Sequence, residues 1–143
     1  MAKEITSYKT KIYWEDTDAS GIVYHANYIR FMERARSQWA AELGFEQETM
    51  RTKDHQALVV ANLEISYKRP AKLDDEIEVK TQLVGLRAAS FIVKQTVFRD
   101  DVVLASAQVR LGFVDTTTGR PLPFPKLFLE RFTPYLSTEE STK

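Results

Sequence analysis

Asp16, Asp18, Ser20 and Gly21, in the stretch "DTDASG" over 16–21, are the residues whose types and spacing first suggest chemistry. They match the opening ligands and the glycine of an EF-hand calcium loop, which takes oxygens at positions one, three, five and twelve around a glycine at six. Position twelve, however, is Asn27 where the loop requires a bidentate glutamate, and the segment before the stretch has strand character where a helix is needed. No metal is expected here. Ordinary turn chemistry is a second reading, because Asp and Ser side chains cap neighbouring backbone N–H groups beside a glycine. A third reading places a carboxylate opposite a helix start. Main-chain N–H groups around His25 and Ala26 would lack intrahelical acceptors and carry the positive end of the helix dipole. They would hold a developing oxyanion while Asp18 faces the same carbonyl, with Gly21 bending the chain between acid and helix. That arrangement suits acyl transfer. Spacing alone leaves turn capping and oxyanion binding both open.

The third reading needs a helix that begins just before residue 27. From Asn27 to Leu43, Tyr28, Met32, Ala35, Trp39 and Leu43 recur at helical spacing, and Arg30, Glu33, Arg34, Ser37 and Glu42 fall mostly elsewhere. Gly44 then stands where a left-handed C-terminal cap is wanted. Trp14, Tyr24 and Tyr28 are expected to be core or interface aromatics, and Arg34 and Arg36 to be solvated or paired across the helix. Residues 8–15 read as a strand and 46–55 as a polar connection. Val59, Ala61, Leu63, Ile65 and Tyr67 alternate against Asn62, Glu64, Ser66 and Lys68, which predicts a second strand. Strands over 76–84, 89–99 and 102–115 follow, with connections short enough for an antiparallel meander. "KLFLERF" (126–132) reads as a short closing helix. A lone amphipathic helix needs an apolar sheet face, so the order predicts an α+β fold in which the sheet wraps the helix. Small residues in the row Val103, Ala105, Ala107, Val109, Leu111 and Phe113 would let the helix approach that strand closely.

The 143 residues suit one domain spanning 1–143. Twenty basic residues balance twenty acidic ones, which disfavours nucleic acid and anionic membranes as partners. With no cysteine, thiol nucleophiles, thiolate zinc sites and disulfides are excluded. The start has no apolar core of a leader, and the longest aliphatic run, "ALVVA" (57–61), is too short to span a bilayer, so a cytoplasmic protein is expected.

"YWEDTDASGIVYHANYIRFMERAR" (13–36) resembles the signature of the hotdog-fold acyl-CoA thioesterases, in the branch holding 4-hydroxybenzoyl-CoA thioesterase and the Tol-Pal-associated acyl-CoA thioesterases. The resemblance continues through "ISYKRPAKLDDEIEV" (65–79) and covers 8–128. It implies a hotdog fold, a long central helix wrapped by a five- or six-stranded antiparallel sheet. It also implies a homodimer or homotetramer with active sites between chains, an acyl-CoA substrate, and neither metal nor cofactor. By position, Asp18 matches the catalytic carboxylate, as nucleophile or general base, and the backbone N–H of His25 matches the oxyanion donor. The His25 side chain matches a residue that orients groups or transfers a proton, Asp16 shapes the loop, and Tyr24 and Tyr28 line or support the pocket. Lys68, Arg69 and Arg87, at strand ends, are candidates for the CoA phosphates. Pocket depth is assigned to side chains such as Phe31, Trp39, Val59 and Val60. Two other readings are an acyl-thioester hydratase or dehydratase on the same fold, and a module that binds acyl-CoA without turnover.

Overall fold

The apolar stripe that begins at Tyr28 forms one long helix, and the sheet it needs is present. The computed structural model describes residues 2–137. Its elements are β1 (Tyr8–Lys11), α1 (Ala26–Glu42), α2 (Gln47–Lys53), β2 (Gln56–Tyr67), β3 (Glu76–Leu86), β4 (Ser90–Arg99), β5 (Val102–Asp115) and α3 (Lys126–Phe132), with 3-10 turns at Trp14–Asp16 and Thr133–Tyr135. The five strands make one antiparallel sheet in the order β1-β3-β4-β5-β2. Because β1 and β2 lie at opposite edges, α1 must cross the whole sheet to join them. Tyr28, Phe31, Met32, Ala35, Trp39 and Ala40 are buried beneath it.

The end of α1 follows its sequence. Gly44 takes φ +92, its N–H donates to Ala41 O at 3.0 Å, and the Phe45 N–H donates to Ala40 O at 2.9 Å. These two bonds are a Schellman closure, and they satisfy carbonyls the helix leaves open. α2 lies in the segment expected to be a polar connection. Only Met50 of its seven residues is buried, so the apolar period is too sparse to read.

Two other expectations are corrected. The strands after α1 do not form a four-stranded meander: β3, β4 and β5 do, but β2 pairs with β5. The connection over 68–75 therefore crosses from the β2 edge to β3. That spans three strand spacings, about 14 Å, which an eight-residue segment covers comfortably. Arg99 at the end of β4 holds the crossing: Nη1 donates to Pro70 O at 3.3 Å and to Asp75 Oδ2 at 2.8 Å. The second correction is α1 itself, whose backbone runs nearest β3 and β1, not the small residues of β5.

Bulges move the side-chain phase. The β2 register shifts between Val60 and Asn62, so Leu58, Val60, Leu63, Ile65 and Tyr67 lie opposite Phe113, Leu111, Val109, Ala107 and Ala105 on the helix-facing side. Val59, expected on that face, is on the other. A second shift, between Val97 and Phe98, buries both Leu104 and Ala105 and leaves Val103 exposed. The far end of the barrel-like curl is closed by α3, where Phe124, Phe128 and Phe132 stack with centroid spacings of 4.2 and 3.8 Å.

Arg36 departs most from expectation. Arg34 is exposed as anticipated, but Arg36 is only 7% exposed, and its Nη1 donates to Gln95 Oε1 at 3.0 Å. Gln95 is fully buried, and its Nε2 donates to Met32 O at 2.9 Å and to Thr81 Oγ1 at 3.0 Å, which fixes the amide with its oxygen toward the guanidinium.

Candidate active site

After β1 the chain passes the Trp14–Asp16 turn and doubles back. Thr17 bridges Val23, the Asp18 N–H donates to Ile22 O at 2.9 Å, and the Gly21 N–H donates to Asp18 O at 3.1 Å. Gly21 has φ +83, and a Cβ there would meet nothing within 4 Å, so glycine serves conformation here and not close approach. The turn is fastened to the crossing segment: Val23 N–H donates to Ala71 O at 2.9 Å, Leu73 N–H to Gly21 O at 3.2 Å, and Ile22 bridges Lys72. The helix holds that segment in turn, because the Ala71 N–H donates to the buried Tyr28 hydroxyl at 2.9 Å.

Within the turn, Asp18 Oδ1 accepts the Ser20 N–H at 2.8 Å and the Ser20 hydroxyl at 2.5 Å. Among the described residues Oδ2 has no donor. The Ser20 hydroxyl, followed by the Ser20 N–H, holds the exposed Asp18 carboxyl below the ordinary carboxylate value. Asp16 has a separate duty. Its Oδ2 accepts the Tyr13 N–H at 2.9 Å, and its carbonyl accepts the Tyr24 N–H at 3.0 Å and Asn27 Nδ2 at 2.8 Å. Asp16 thus ties the turn to the first residues of α1.

The start of α1 is open. His25 makes no side-chain capping bond, the first turn holds no acidic residue, and the N–H groups of His25 and Ala26 have no acceptor among the described residues. Both donors and the dipole are left for a ligand. Asp18 lies two ladder steps from Tyr24, about 7 Å by strand geometry, which puts carboxylate and helix start on one short hairpin. Aromatic rings frame this opening. The His25 ring sits 4.5 Å from the Tyr24 ring and 6.1 Å from that of Tyr67, whose hydroxyl donates to His25 O at 3.0 Å. Tyr24 is half exposed, whereas Tyr28 is buried and burial pushes its phenol up. Tyr28 thus supports the site from beneath. Trp14, expected in a core or interface, stands 76% exposed in this chain, because the turn that carries it projects outward.

Lys68 and Arg69 follow Tyr67 directly and both donate their N–H groups to Leu104 O, which puts these exposed cations at the His25 end of the sheet. Arg87 lies elsewhere. Its N–H bonds Ser90 O, and Ser90 is level with Gly112 and Val59, eight residues or about 26 Å along β2 from Tyr67. One chain does not bring Arg87 to Asp18. Of the side chains assigned to pocket depth, Phe31 and Trp39 are in the core, and Val59 and Val60 are exposed on the edge strand.

This architecture and signature are shared with known proteins. A thioesterase-like superfamily profile matches residues 12–132. A Haemophilus influenzae protein named acyl-CoA thioesterase YbgC is 39% identical over 120 residues, covering 84% of this chain and 88% of that protein. An Escherichia coli protein named acyl-CoA thioester hydrolase YbgC is 33% identical over 133 residues, covering 92% and 98%. A solved structure of a probable thioesterase from Bartonella henselae superposes with a TM-score of 0.79 at 31% identity, covering 84% of this chain and 98% of that one. The long helix laid across a curled antiparallel sheet is therefore the hotdog fold, and the chain belongs to the thioesterase-like superfamily.

Proposed function

We propose that the chain hydrolyses an acyl-CoA thioester to a free acid and CoA at the opening between the Asp18 turn and the start of α1. Family membership and the relatives named for this reaction support the reaction class. The observation that carries the site is the pairing, on one hairpin, of an ionised carboxylate with two unoccupied helix N–H groups. The thioester oxygen binds the His25 and Ala26 N–H groups, where the dipole stabilises the charge that develops on it. Asp18 Oδ2, the oxygen without a donor, attacks the carbonyl carbon; the C–S bond breaks, CoA leaves as thiolate, and water hydrolyses the resulting anhydride. The same carboxylate can alternatively deprotonate a water that attacks the carbonyl, with the same C–S cleavage and the same products. Lys68 and Arg69, exposed at the same end of the sheet, are the residues proposed to meet the CoA phosphates, and Arg87 reaches a site only as a neighbour's contribution.

The assembly proposed is a homodimer or larger homo-oligomer. β2 is an edge strand, and Val59 and Val60 on it are 41% and 50% exposed, which suits a second copy continuing the sheet. A cysteine-free chain acting on acyl-CoA suits the cytoplasm. The test is release of free thiol from an acyl-CoA panel, with Asp18→Asn as control. Loss of a placed carboxylate removes about 100- to 10,000-fold of rate. Retained turnover in Asp18→Asn refutes the assignment. A product that keeps its CoA indicates hydration, and binding without thiol release indicates the non-catalytic module.

A further inference from the structure

We propose that Arg36 determines substrate specificity, its guanidinium recognising a hydrogen-bond-accepting oxygen, hydroxyl or carboxylate, at the far end of the acyl group. This rests on the thioesterase reading above and names the class of acyl group that site accepts.

The first observation is a buried cation without a counter-ion. Arg36 is 7% exposed, and no carboxylate among the described residues lies within ion-pairing distance of it. Its one hydrogen bond among the described residues is the 3.0 Å contact to Gln95, a neutral amide that two further bonds lock in place. Burial lowers the guanidinium's affinity for its proton, and Glu33 acts the other way from a distance. Glu33 lines the same groove but is engaged by other partners: Oε2 accepts the Ser37 hydroxyl at 2.7 Å, and Ser37 Oγ accepts Gln47 Nε2 at 2.8 Å. An isolated buried charge costs several kcal/mol, and a fold that keeps one gains when a ligand completes its hydrogen bonds.

The second observation is the space Arg36 meets. A groove of about 200 Å³ is lined on one side by Arg36 with Glu33, Ser37 and Gln47, and on the other by the apolar side chains of Trp39, Leu58, Val60, Phe91 and Leu111. Trp39, which also lines the groove, has its Nε1 buried without an acceptor among the described residues.

The third observation joins this groove to the proposed reaction site. The bulge at Ala61 puts Tyr67, Ile65, Leu63, Val60 and Leu58 in one row on the helix-facing side of β2. None of that row is fully buried, because β2 is an edge strand. The row begins at Tyr67, whose hydroxyl bonds the carbonyl of His25 at the start of α1, and ends in the Arg36 groove. Ala26 and Arg36 are ten residues apart, about 15 Å along the helix, which an acyl chain of roughly a dozen carbons spans from a carbonyl held at the helix start. The apolar row receives the chain, and Arg36 receives its polar end.

The test compares kcat/KM for length-matched acyl-CoAs ending in methyl, hydroxyl or carboxylate, from short chains to about fourteen carbons. At the matching length, oxygen-ended chains are expected to exceed the methyl-ended one by about 10- to 100-fold, the worth of one hydrogen bond to a charged group. Arg36→Met, which keeps most of the side-chain volume, is expected to abolish or reverse that ranking while methyl-ended substrates are still hydrolysed. A ranking that is flat at every length, or that survives Arg36→Met, overturns the proposal. So does a variant that loses all substrates equally or dissociates into monomers, since the guanidinium then serves the fold or a subunit contact. Should Arg36→Met fail to fold, inhibition of the unaltered protein by free hydroxy acids against fatty acids of equal length decides: equal inhibition overturns the proposal. A flat ranking together with an inactive Asp18→Asn discards only the Arg36 role, whereas an active Asp18→Asn with an intact ranking discards only the catalytic assignment.

Discussion

Replacing Gln95 with leucine isolates the buried polar network beneath α1. The substitution keeps the size of the side chain and removes three hydrogen bonds: one from the Arg36 guanidinium, one to Met32 O and one to Thr81 Oγ1. A bond to a charged group contributes about 1.5–3 kcal/mol and each neutral one about 0.5–1.5. Leucine returns part of this by apolar transfer, because position 95 lies in the row Phe91, Val93 and Val97 that faces the helix. The net loss expected is about 2–4 kcal/mol, a fall in melting temperature of about 5–15 °C for a chain of this size. The assay is urea unfolding followed by fluorescence, run for Gln95→Leu, Arg36→Met and the double variant. With both partners apolar no unpaired charge remains, so the double variant is expected to be more stable than Gln95→Leu alone, with a coupling energy of about 1–3 kcal/mol. If Gln95→Leu shifts stability by less than about 0.5 kcal/mol, or the two changes simply add, the guanidinium is not buried against that amide and the reasoning fails.

Ser20→Ala removes the hydroxyl bond that depresses the Asp18 carboxyl, so its titration rises toward the ordinary value and the acid limb of the pH–rate profile moves to higher pH; an unmoved limb would mean that Asp18 does not carry that limb. Because that carboxyl is fully exposed, its contribution to folding, present above its unfolded titration and lost as pH falls through the lower folded one, is expected to leave acid unfolding unchanged in the same variant. Tyr28→Phe strands the N–H of the fully buried Ala71 and loosens the segment that fastens the Asp18 turn. A stability loss of about 1–3 kcal/mol in denaturant titration, with a lower kcat, is expected, and a neutral substitution would show that the hydroxyl is not the acceptor.

The fold was legible where side-chain period and capping chemistry agree. Tyr28, Met32, Ala35 and Trp39 marked the buried stripe of α1, and Gly44 marked its end, because both signals are local. Strand pairing is not local. Nothing in residues 68–75 announces that they cross the sheet instead of turning back, since the bonds that decide it reach Arg99 and the 21–23 backbone. The bulge at Ala61 hid for a similar reason: one extra residue inverted every phase assignment N-terminal to it, and Val59 was placed on the wrong face. At the site, the "DTDASG" turn and the open helix start were readable from residue types. The buried role of Arg36 was not, because a cation in an amphipathic helix normally belongs to solvent. The available signal was Gln95, a polar residue in the apolar row Phe91, Val93 and Val97, where an amide is kept only if something bonds it.

The start of α1 likewise lacks stabilising contacts that a helix end can have. A Ser, Asp or Asn cap contributes about 0.5–2 kcal/mol, and an acidic residue in the first turn adds about 0.3–1 through the dipole; α1 has neither. α3 starts in the same way, after Pro125 with neither a side-chain cap nor an acidic first turn, so what sets the bare start of α1 apart is the Asp18 turn beside it. His25→Asp turns that start into an experiment with two readouts of opposite sign. An aspartate beside the free N–H groups complements the dipole, so melting temperature is expected to hold or rise. The same charge occupies or repels the position of the thioester oxyanion, so kcat is expected to fall by about 100-fold or more, the usual effect of losing an oxyanion donor. A variant that keeps both its stability and its turnover would show that no negative charge develops at those amides, and the reacting carbonyl would have to lie elsewhere.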